Sequence, residues 1–344
     1  MAHAPAPTRP LAVSLGDPAG VGPELLATAW AAREVHGLAP FFAVFGGELI
    51  AQASTRRGLH VPIRRIDHPS EAAAVFAEAL PVLGDADLPY APGQPDRAGA
   101  ALALASLEQA AALAVAGDAA ALVTGPVAKG RLAEVGFAHP GQTEFVAAAC
   151  GADPADAVMM LAGPSLRTVP LTVHVALSQV PALITRELIE RRGAIVARAL
   201  SRDFGIAAPR LAVTALNPHG GEGGLFGDED QRIVAPAVAA LQAAGIDAEG
   251  PHAADALFAP HNRHTFDAAL CMYHDQALIP IKALDFESGV NITLGLKIVR
   301  TSPDHGTAFA IAGKAAADPG ATIAAIRMAA ECAGRREMSR SAAV

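Results

Sequence analysis

Three histidines each stand at the end of an apolar run that predicts a buried strand. The pairs of predicted strand and histidine are Thr168–Val173 with His174, Leu211–Leu216 with His219, and Ala268–Met272 with His274. Open α/β sheets bind ligands at the carboxyl ends of their strands, so these imidazoles are candidates to converge. Three neutral imidazoles can hold zinc, cobalt or nickel and leave one position open for substrate. Any one of them taken alone is more often a structural histidine.

One of these histidines, His219, lies in a glycine-rich segment, Asn217–Asp230, that precedes a predicted helix, Asp228–Leu241. Glycines let a backbone turn sharply and approach a ligand closely. The alternative is a plain glycine-rich loop. The acidic residues at the end of the segment are typical of a helix's first turn, and we assign them that role: Asp228, Glu229 and Asp230.

Carboxylates and cations accompany the histidines along the chain. Asp275 directly follows His274, and Asp255 lies upstream of both. A carboxylate beside a metal-binding histidine commonly orients the ring, although a turn or a helix cap would also use an aspartate. Further polar residues are candidates to bind a phosphate or a carboxylate, with solvent-facing charge as the alternative: Lys282, Lys297, Arg300 and Asn291, and more weakly Lys129.

Composition excludes several classes of protein. Hydrophobic residues make up 52% and charged residues 17% of the 344 residues, which allows a large core and excludes wholesale disorder. The formal net charge of −8, without a run of Lys or Arg, argues against a nucleic-acid partner. The three cysteines are widely spaced, so neither a disulfide framework nor a thiolate metal site is indicated. No apolar run reaches the roughly 20 residues that span a bilayer, and we expect a soluble cytoplasmic protein.

Strands alternate with helices along the chain, which favours an α/β fold with mostly parallel sheets. The clearest element is a long alanine-rich helix, Arg97–Ala116. The stretch Pro81–Pro95 predicts an irregular connection, and Thr307–Ala312 predicts a helix. Residues 1–10 are expected to be a disordered tail rather than a signal peptide, and residues 335–344 a second tail.

Six blocks of sequence together resemble the 4-hydroxythreonine-4-phosphate dehydrogenase family. They are Gly16–Glu24, Thr124–Pro126, His139–Phe145, Asn217–His219, Tyr273–Gln276 and His305–Phe309. The resemblance implies a fold like that of isocitrate and isopropylmalate dehydrogenases, with two α/β lobes, mostly parallel sheets and a cleft between them. Residues 11–140 plus 300–334 would form the cofactor lobe, and residues 141–299 the lobe for metal, substrate and dimer contacts.

The resemblance also implies an activity. It is the metal-dependent oxidation of 4-phosphooxy-L-threonine by NAD or NADP to 2-amino-3-oxo-4-phosphooxybutyrate, which decarboxylates to 3-amino-2-oxopropyl phosphate in pyridoxal 5′-phosphate (vitamin B6) biosynthesis. Zinc is the implied metal, with cobalt or magnesium as alternatives. A homodimer with shared active sites is implied, and neither a nucleic acid nor a membrane is expected as a partner.

The family's site residues fall on matching positions of this chain. The implied metal ligands are His174, His219 and His274. The implied substrate contacts are Gln142, Thr143, Lys282, Asn291 and Arg300, supported by the carboxylates Asp255 and Asp275. The segment Ser302–Pro319 is similar to the loop that holds the adenine end of the cofactor, with His305, Gly306, Thr307 and Ala308 as contacts. No general base is assigned.

Two positions depart from the family pattern. Gln142 stands where a histidine usually follows Pro-Gly, and an amide can hydrogen-bond but cannot titrate, so one substrate contact is altered. Ala310 stands where an aspartate is usual, which leaves the choice between NAD and NADP open.

Three alternative functions stay open on the sequence alone. The first is a paralogue that oxidises a phosphorylated sugar acid or a dihydrodiol carboxylate, and Gln142 keeps it open. The second is a phosphate acyltransferase of related fold, against which the three histidines argue. The third is a non-catalytic metal-binding or interaction module, which would require the cofactor loop to be without function.

Overall fold

A computed structural model describes residues 6–341 of the chain. The chain forms two compact units. Unit 1 comprises the residues up to Pro154 together with those from Leu296 onward, and unit 2 comprises Ala155–Gly295. Unit 1 is therefore built from both ends of the chain, and unit 2 from its middle.

Short strands alternate with helices throughout the described residues. The strands are β1 (Leu11–Ser14), β2 (Phe41–Val44), β3 (Ile63–Ile66), β4 (Leu80–Leu83), β5 (Leu122–Thr124), β6 (Val158–Ala162), β7 (Arg167–Pro170), β8 (Arg210–Thr214), β9 (Asp247–His252), β10 (Ala268–Cys271), β11 (Val290–Leu294) and β12 (Arg300–Pro303). The helices are α1 (Gly22–Ala31), α2 (Arg33–His36), α3 (Gly47–Arg56), α4 (Ala72–Val75), α5 (Arg97–Ala116), α6 (Lys129–Ala133), α7 (Gln142–Ala149), α8 (Val180–Leu183), α9 (Arg186–Phe204), α10 (Ala235–Ala243), α11 (Ala254–Leu257), α12 (His274–Asp285) and α13 (Gly320–Ser341).

The strands of unit 1 are all parallel to their neighbours within the unit, in the order β3-β4-β2-β1-β5-β12. Strands β1, β2 and β4 are buried at every position. Continuous apolar burial of this kind is typical of parallel strands covered on both faces. It explains why β1 and β2 read as largely apolar runs in the sequence.

The strands of unit 2 follow the order β11-β6-β7-β10-β8-β9. Strand β10 pairs in parallel with β7 on one side and with β8 on the other, and β8 pairs in parallel with β9. Strands β6 and β11 run antiparallel to their neighbours. The expected α/β fold with mostly parallel sheets is therefore confirmed, and the carboxyl ends of β7, β10 and β8 share one edge.

Helix α5 begins and ends where the sequence predicts. The carboxylate of Asp96 accepts a hydrogen bond from the Gly99 N–H at 2.7 Å, and Gly117 closes the helix with a φ of 87°. An aspartate cap and a left-handed glycine are strong end signals, which explains the accuracy of the prediction. Among the described residues this is the one helix long and apolar enough to cross a membrane, and half of that apolar stretch is buried within the protein.

One sequence prediction about irregular structure is largely confirmed, because residues 84–95 contain no helix or strand. Only the first residues of that stretch belong to β4, where Pro81 is tolerated because pairing with β2 begins only at Val82. A second prediction is wrong, because the expected helix Thr307–Ala312 is a series of turns, in which Ala308 has a positive φ of 46°. A positive φ is incompatible with a right-handed helix.

The two stretches that the sequence predicts as tails are structured over their described residues, 6–10 and 335–341. Helix α13 continues through residues 335–341, and the buried Arg336 donates hydrogen bonds to the carbonyls of Leu296 and Lys297. At the other end, the Thr8 N–H donates to Glu337 at 2.8 Å, and Pro10 is buried. Residues 1–5 and 342–344 lie outside the described residues.

Two loops of unit 1 approach each other so closely that only glycines fit. A Cβ on Gly125, just after β5, would lie 2.7 Å from the backbone nitrogen of Gly16 and 2.8 Å from the carbonyl oxygen of Ser14. Backbone atoms cannot retreat from such a contact without moving β1. These glycines therefore fix the distance between the loops that follow β1 and β5.

We expect Gly125→Ala to destabilise the protein by about 1–3 kcal/mol, because the added methyl group overpacks a rigid backbone contact. Gly130→Ala is the matched control, since a Cβ there meets no atom within 4 Å and Gly130 lies in α6. The control should be neutral or should stabilise by about 0.5–1 kcal/mol. Chemical denaturation measures both, and equal stability of the two variants would contradict the steric argument.

Candidate metal and substrate site

The three histidines follow three adjacent parallel strands of unit 2. His174 comes after β7, His274 opens α12 after β10, and His219 comes after β8. Because β10 lies between the other two strands, the backbone after each strand emerges at the same edge of the sheet. The fold thus brings segments up to a hundred residues apart to neighbouring positions.

Two of the three imidazoles face each other. The ring centroids of His174 and His274 lie 5.8 Å apart. Both rings line a cavity of about 300 Å³, together with Thr172, Tyr273 and Asp275 among others. The Asp275 carboxylate lies 2.7 Å from Nδ1 of His274. A carboxylate can only accept a hydrogen bond from a ring N–H, so this contact favours the tautomer that leaves Nε2 as the ligand nitrogen.

The third histidine is not part of this cavity lining. His219 lies in the glycine-rich loop, with its ring centroid 6.4 Å from that of Phe226. Across residues 6–341, no group of three or more His, Cys, Asp or Glu side chains is arranged to hold an ion. His174 and His274 are therefore close together, whereas His219 shares the edge of the sheet without joining them.

The donor set of the pair fits a divalent metal. Two imidazoles bound to one zinc through nitrogens at about 2.0–2.1 Å have ring centroids roughly 5–6 Å apart, and the His174–His274 separation of 5.8 Å is in that range. The aspartate behind His274 is the usual partner of a metal-binding imidazole. Cys271 is no competing ligand, because it is fully buried and burial raises the pKa of its thiol.

Acidic residues hold the start of the glycine-rich loop. The buried Asp230 accepts hydrogen bonds from the N–H groups of Leu216 and Asn217 at 2.7 and 3.0 Å, and Glu229 accepts one from the Asn217 amide at 2.8 Å. The prediction that these residues open a helix is confirmed, because a π-helical turn, Asp230–Val234, begins here and continues directly into α10. The carboxylates of Glu229 and Asp230 have a further role, since they accept hydrogen bonds from donors at the end of β8.

The loop itself is a left-handed turn. Five consecutive residues, from His219 to Gly223, have φ values between 44° and 78°. Two of the five, His219 and Glu222, are not glycine, and such residues adopt this conformation at an energetic cost. Gly221 is required on steric grounds as well, because its Cβ would lie 2.6 Å from the Gly227 carbonyl oxygen.

Sequence reasoning gave no role to Gln276, which joins the ends of two strands. Its Oε1 accepts hydrogen bonds from the Met272 N–H and the Thr214 hydroxyl, both at 2.7 Å. Its Nε2 donates to the Ala215 carbonyl at 2.9 Å. One amide therefore ties the end of β8 to the end of β10, directly beside His274. Its place in the Tyr273–Gln276 block was the one available signal.

Sequence reasoning also did not predict α12, which His274 opens. Lys282 lies two turns along this helix, on the face that carries the exposed Ile279 and Phe286. Asn291 lies in β11, and its Oδ1 is buried without a hydrogen-bond partner. Asp255 is exposed in α11. None of these residues lines the cavity beside His274.

A second set of predicted substrate residues lies in unit 1. Arg300 at the start of β12 is buried, and its Nη2 donates to the Thr124 hydroxyl and to Oε1 of Gln142, both at 2.7 Å. Burial lowers the pKa of Arg300 to about 10, while the charge of Glu144 acts in the opposite direction. The guanidinium is therefore still charged at neutral pH. Thr143 is half-buried in the first turn of α7.

The remaining predicted cations are peripheral. Lys297 is exposed, and Lys129 opens α6 close to Gly141. Neither of them takes part in the hydrogen bonds that hold Arg300 to Thr124 and Gln142.

The predicted cofactor loop is held firmly against the rest of unit 1. The Val21 N–H donates to the Thr307 carbonyl at 3.0 Å, and a Cβ on Gly20 would lie 2.7 Å from that same oxygen. Two arginines that sequence reasoning overlooked contribute, since Arg56 donates to the Gly313 carbonyl at 3.2 Å and Arg57 to the Ala317 carbonyl at 2.6 Å.

One buried atom of this loop, Nε2 of His305, is suited to bind a ligand. Its Nδ1 lies 3.0 Å from the Gly306 carbonyl, and its Nε2 is buried without a hydrogen-bond partner. A ring that donates through Nδ1 presents Nε2 as an acceptor. An amide or hydroxyl of a nicotinamide dinucleotide could satisfy it.

Comparison with known proteins gives consistent results. The model for the family described as pyridoxal phosphate biosynthetic protein PdxA matches residues 39–329. A 4-hydroxythreonine-4-phosphate dehydrogenase of Erythrobacter litoralis (strain HTCC2594) is 62% identical over 330 residues, covering 96% of this chain and 98% of its own. The crystal structure of a 4-hydroxythreonine-4-phosphate dehydrogenase from Klebsiella pneumoniae matches with a TM-score of 0.84 and 37% identity, covering 95% of this chain and 100% of that chain.

A protein of different name is also similar. A terephthalate 1,2-cis-dihydrodiol dehydrogenase from Burkholderia xenovorans LB400 matches with a TM-score of 0.63 and 30% identity, covering 94% of this chain and 98% of that chain. The family match nevertheless extends over most of the chain, and the resemblance carried by the six sequence blocks is confirmed. The chain belongs to the family of pyridoxal phosphate biosynthetic protein PdxA, whose relatives are named as 4-hydroxythreonine-4-phosphate dehydrogenases.

Proposed function

We propose that this protein oxidises the 3-hydroxyl of 4-phosphooxy-L-threonine with NAD or NADP, as a cytoplasmic enzyme of pyridoxal 5′-phosphate biosynthesis. A hydride leaves C3 for the nicotinamide and the hydroxyl proton is lost. The product, 2-amino-3-oxo-4-phosphooxybutyrate, is a β-keto acid and decarboxylates to 3-amino-2-oxopropyl phosphate. Unit 1 serves the cofactor, and unit 2 serves the metal and the dimer contacts.

The observation that carries this proposal is the pair His174 and His274, which face each other beside a cavity at the ends of adjacent parallel strands. The names of the relatives, which cover almost the whole chain, supply the substrate. Membership of a dehydrogenase family also favours oxidation over the acyltransferase alternative.

A divalent ion held by His174, His219 and His274 would supply Lewis acidity at the substrate hydroxyl and amine, with zinc as first choice and cobalt or magnesium as alternatives. Asp275 fixes the tautomer of His274, and Gln276 holds the backbone on either side of it. Lys282 and Arg300 bind the anionic groups of the substrate, assisted by Thr143 and Asn291. The buried, unpartnered Asn291 Oδ1 supports that role, because a substrate donor would satisfy it.

A homodimer with shared active sites completes the proposal. Most of the large apolar side chains left exposed by the described residues lie in unit 2: Val175, Leu177, Leu183, Leu225, Phe226, Ile279, Leu284 and Phe286. They belong to the segments that follow β7, β8 and β10, the same segments that carry the three histidines. Exposed apolar residues concentrated around a site are typical of an interaction surface, and a second copy of the chain is the partner we assign to it.

A second candidate function is oxidation of a dihydrodiol carboxylate or a phosphorylated sugar acid. The similarity to the terephthalate dihydrodiol dehydrogenase and the presence of Gln142 favour it. Steady-state assays of the metal-loaded protein with phosphooxythreonine, a dihydrodiol carboxylate and threonate phosphate separate the two candidates. NAD and NADP are compared in each assay. Turnover of either alternative substrate, with none of phosphooxythreonine, would exclude the first.

We expect His219→Ala and His274→Ala each to lower kcat/KM by more than about 100-fold, because each change removes an assigned ligand rather than a supporting group. Metal content after dialysis should fall in parallel, while the thermal unfolding midpoint of the metal-free protein should hardly change. Asp275→Asn should lower metal affinity by about 10–100-fold. His60→Ala, at an exposed position of unit 1, is the control. A His274→Ala protein that keeps its metal and activity would refute the assignment.

We expect Phe286→Asp to weaken self-association, because this side chain is 75% exposed in the single chain and would be buried against a second copy. Loss of an interface anchor should raise the dimer Kd by at least roughly thirtyfold, and activity should fall with dimer content. Sedimentation velocity across a concentration series gives the Kd. Val35→Asp is the control, since Val35 is 87% exposed but lies in unit 1. A monomeric wild-type protein, or an unchanged Kd, would contradict the homodimer.

A further inference from the structure

The start of helix α1 packs against the predicted cofactor loop, Ser302–Pro319, and both belong to unit 1. Glu24 and Leu25 lie three and four positions after Val21, so the three side chains share one side of the helix. Glu24 is only 1% exposed, whereas an acidic residue in the first turn of a helix normally faces solvent. The loop covers this side of the helix through a buried apolar cluster of Val21, Leu25, Ala312 and Ala317.

Arg57 is the charged partner of Glu24. Its Nη1 lies 3.7 Å from Oε2 of Glu24, which is longer than a direct hydrogen bond, and its side chain is 12% exposed. Burial raises the pKa of Glu24, while the charge of Arg57 and the backbone N–H of Gly313 act in the opposite direction. A carboxylate removed from water is stabilised in its charged form by a nearby cation and by backbone donors. Glu24 therefore depends on Arg57 and lies close to the loop at Gly313.

Arg57 also binds the loop directly. It follows α3, and its Nη2 donates a hydrogen bond to the Ala317 carbonyl at 2.6 Å. One guanidinium therefore connects a carboxylate of α1 with a carbonyl of the loop. The loop has little freedom to move away from this contact, because a Cβ on Gly313 would lie 2.6 Å from the ring of Pro92.

Tyr90 lies near the same ion pair and is uncharged at neutral pH. Burial raises the pKa of Tyr90 to about 12, the charge of Glu24 acts in the same direction, and Arg56 and Arg57 act against it. A neutral phenol does not cancel the charge of Glu24 or compete with it for Arg57. The ion pair is therefore the charged contact that a substitution at Glu24 or at Arg57 removes.

We propose that the Glu24–Arg57 ion pair positions the loop Ser302–Pro319 for the nicotinamide dinucleotide, so that the loop is ordered before the cofactor binds. The inference rests on the proposed function, which assigns this loop to the cofactor. Glu24 and Arg57 are positioning residues, because they act through the loop at Gly313 and Ala317. A loop that is ordered in advance loses less conformational entropy on binding, so the ion pair affects cofactor affinity and not hydride transfer.

We expect Arg57→Met to raise KM for the cofactor at least about fivefold, with kcat at saturating cofactor within about twofold of wild type. Glu24→Gln should have the same effect, because either change breaks the ion pair. The double variant should raise KM by less than the product of the two single effects, since the side chains act as one unit. Arg57→Lys should give an intermediate KM, because an ammonium group keeps the charge beside Glu24 but lacks the fork that also reaches Ala317.

Asp203→Asn is the control for a loss of stability alone. Asp203 is 1% exposed and pairs with Arg202 at 2.7 Å, and both residues lie in unit 2. This variant should lower the thermal unfolding midpoint and leave KM for the cofactor unchanged. Arg57→Lys and Glu24→Gln carry the test if Arg57→Met does not fold. The inference is overturned if both leave KM within about twofold of wild type, or if Asp203→Asn raises KM as much as they do.

Two further measurements need no turnover. Titration with NADH should give a dissociation constant at least about fivefold higher in Arg57→Met and Glu24→Gln than in wild type. Amide hydrogen exchange of residues 309–317 in the cofactor-free variants should be at least about tenfold faster. Unchanged exchange, or a wild-type protein that binds neither NADH nor NADPH, would overturn the inference. Wild-type protein that binds NADH without oxidising phosphooxythreonine contradicts the proposed function, and the ratio of dissociation constants then decides the role of the ion pair.

Discussion

The parallel pairing of β10 with β7 and β8 is the constraint on which the candidate metal site depends. Each pairing fixes where a strand ends, and a parallel arrangement puts the three ends on one edge. Short-range sequence cannot specify that arrangement, because the segments are separated by tens of residues. Gln276 stabilises this arrangement locally, because its side-chain amide forms hydrogen bonds with groups at the ends of both β8 and β10. If the register slipped by one residue, the carboxamide would lose these partners together.

Sequence patterns predict this fold well wherever burial is uniform or a helix end is marked. Buried strands such as β1 and β2 appear as largely apolar runs, and α5 has a strong signal at each end. Helix α12 is not evident from the sequence because Tyr273 and His274, at its start, directly follow a buried strand. In the sequence they look like site residues at the end of that strand, not like the first turn of a helix. Helix α12 also contains Pro280, which interrupts the helical pattern. The end of α13, residues 335–341, reads as a tail in the sequence because its polar residues contact partners that are distant along the chain.

The residues of the candidate site also differ in how well the sequence predicts them. Residue type and strand-end position were sufficient to select His174 and His274, because imidazoles after buried strands form a recognisable pattern. The roles of Asp230, Gln276 and Gln142 were not predictable, since each depends on which backbone group lies opposite the side chain after folding. Asparagine, glutamine and aspartate carry no periodic signal of their own. Their hydrogen-bond partners are set by tertiary structure, and such supporting residues are therefore the part of a site that sequence shows least.

Two of the candidate metal ligands lie in loops with a strained backbone. His174 and His219 both have positive φ values, 51° and 54°, and neither is a glycine. Each such residue costs on the order of 1–3 kcal/mol and persists only where its surroundings determine the conformation. At His219 those surroundings are identifiable, because Asp230 and Glu229 fix the residues before the turn and glycines form most of the turn itself. The strain therefore has a structural implication: the conformations of His174 and His219 are imposed by the folded loops around them and not by local backbone preference.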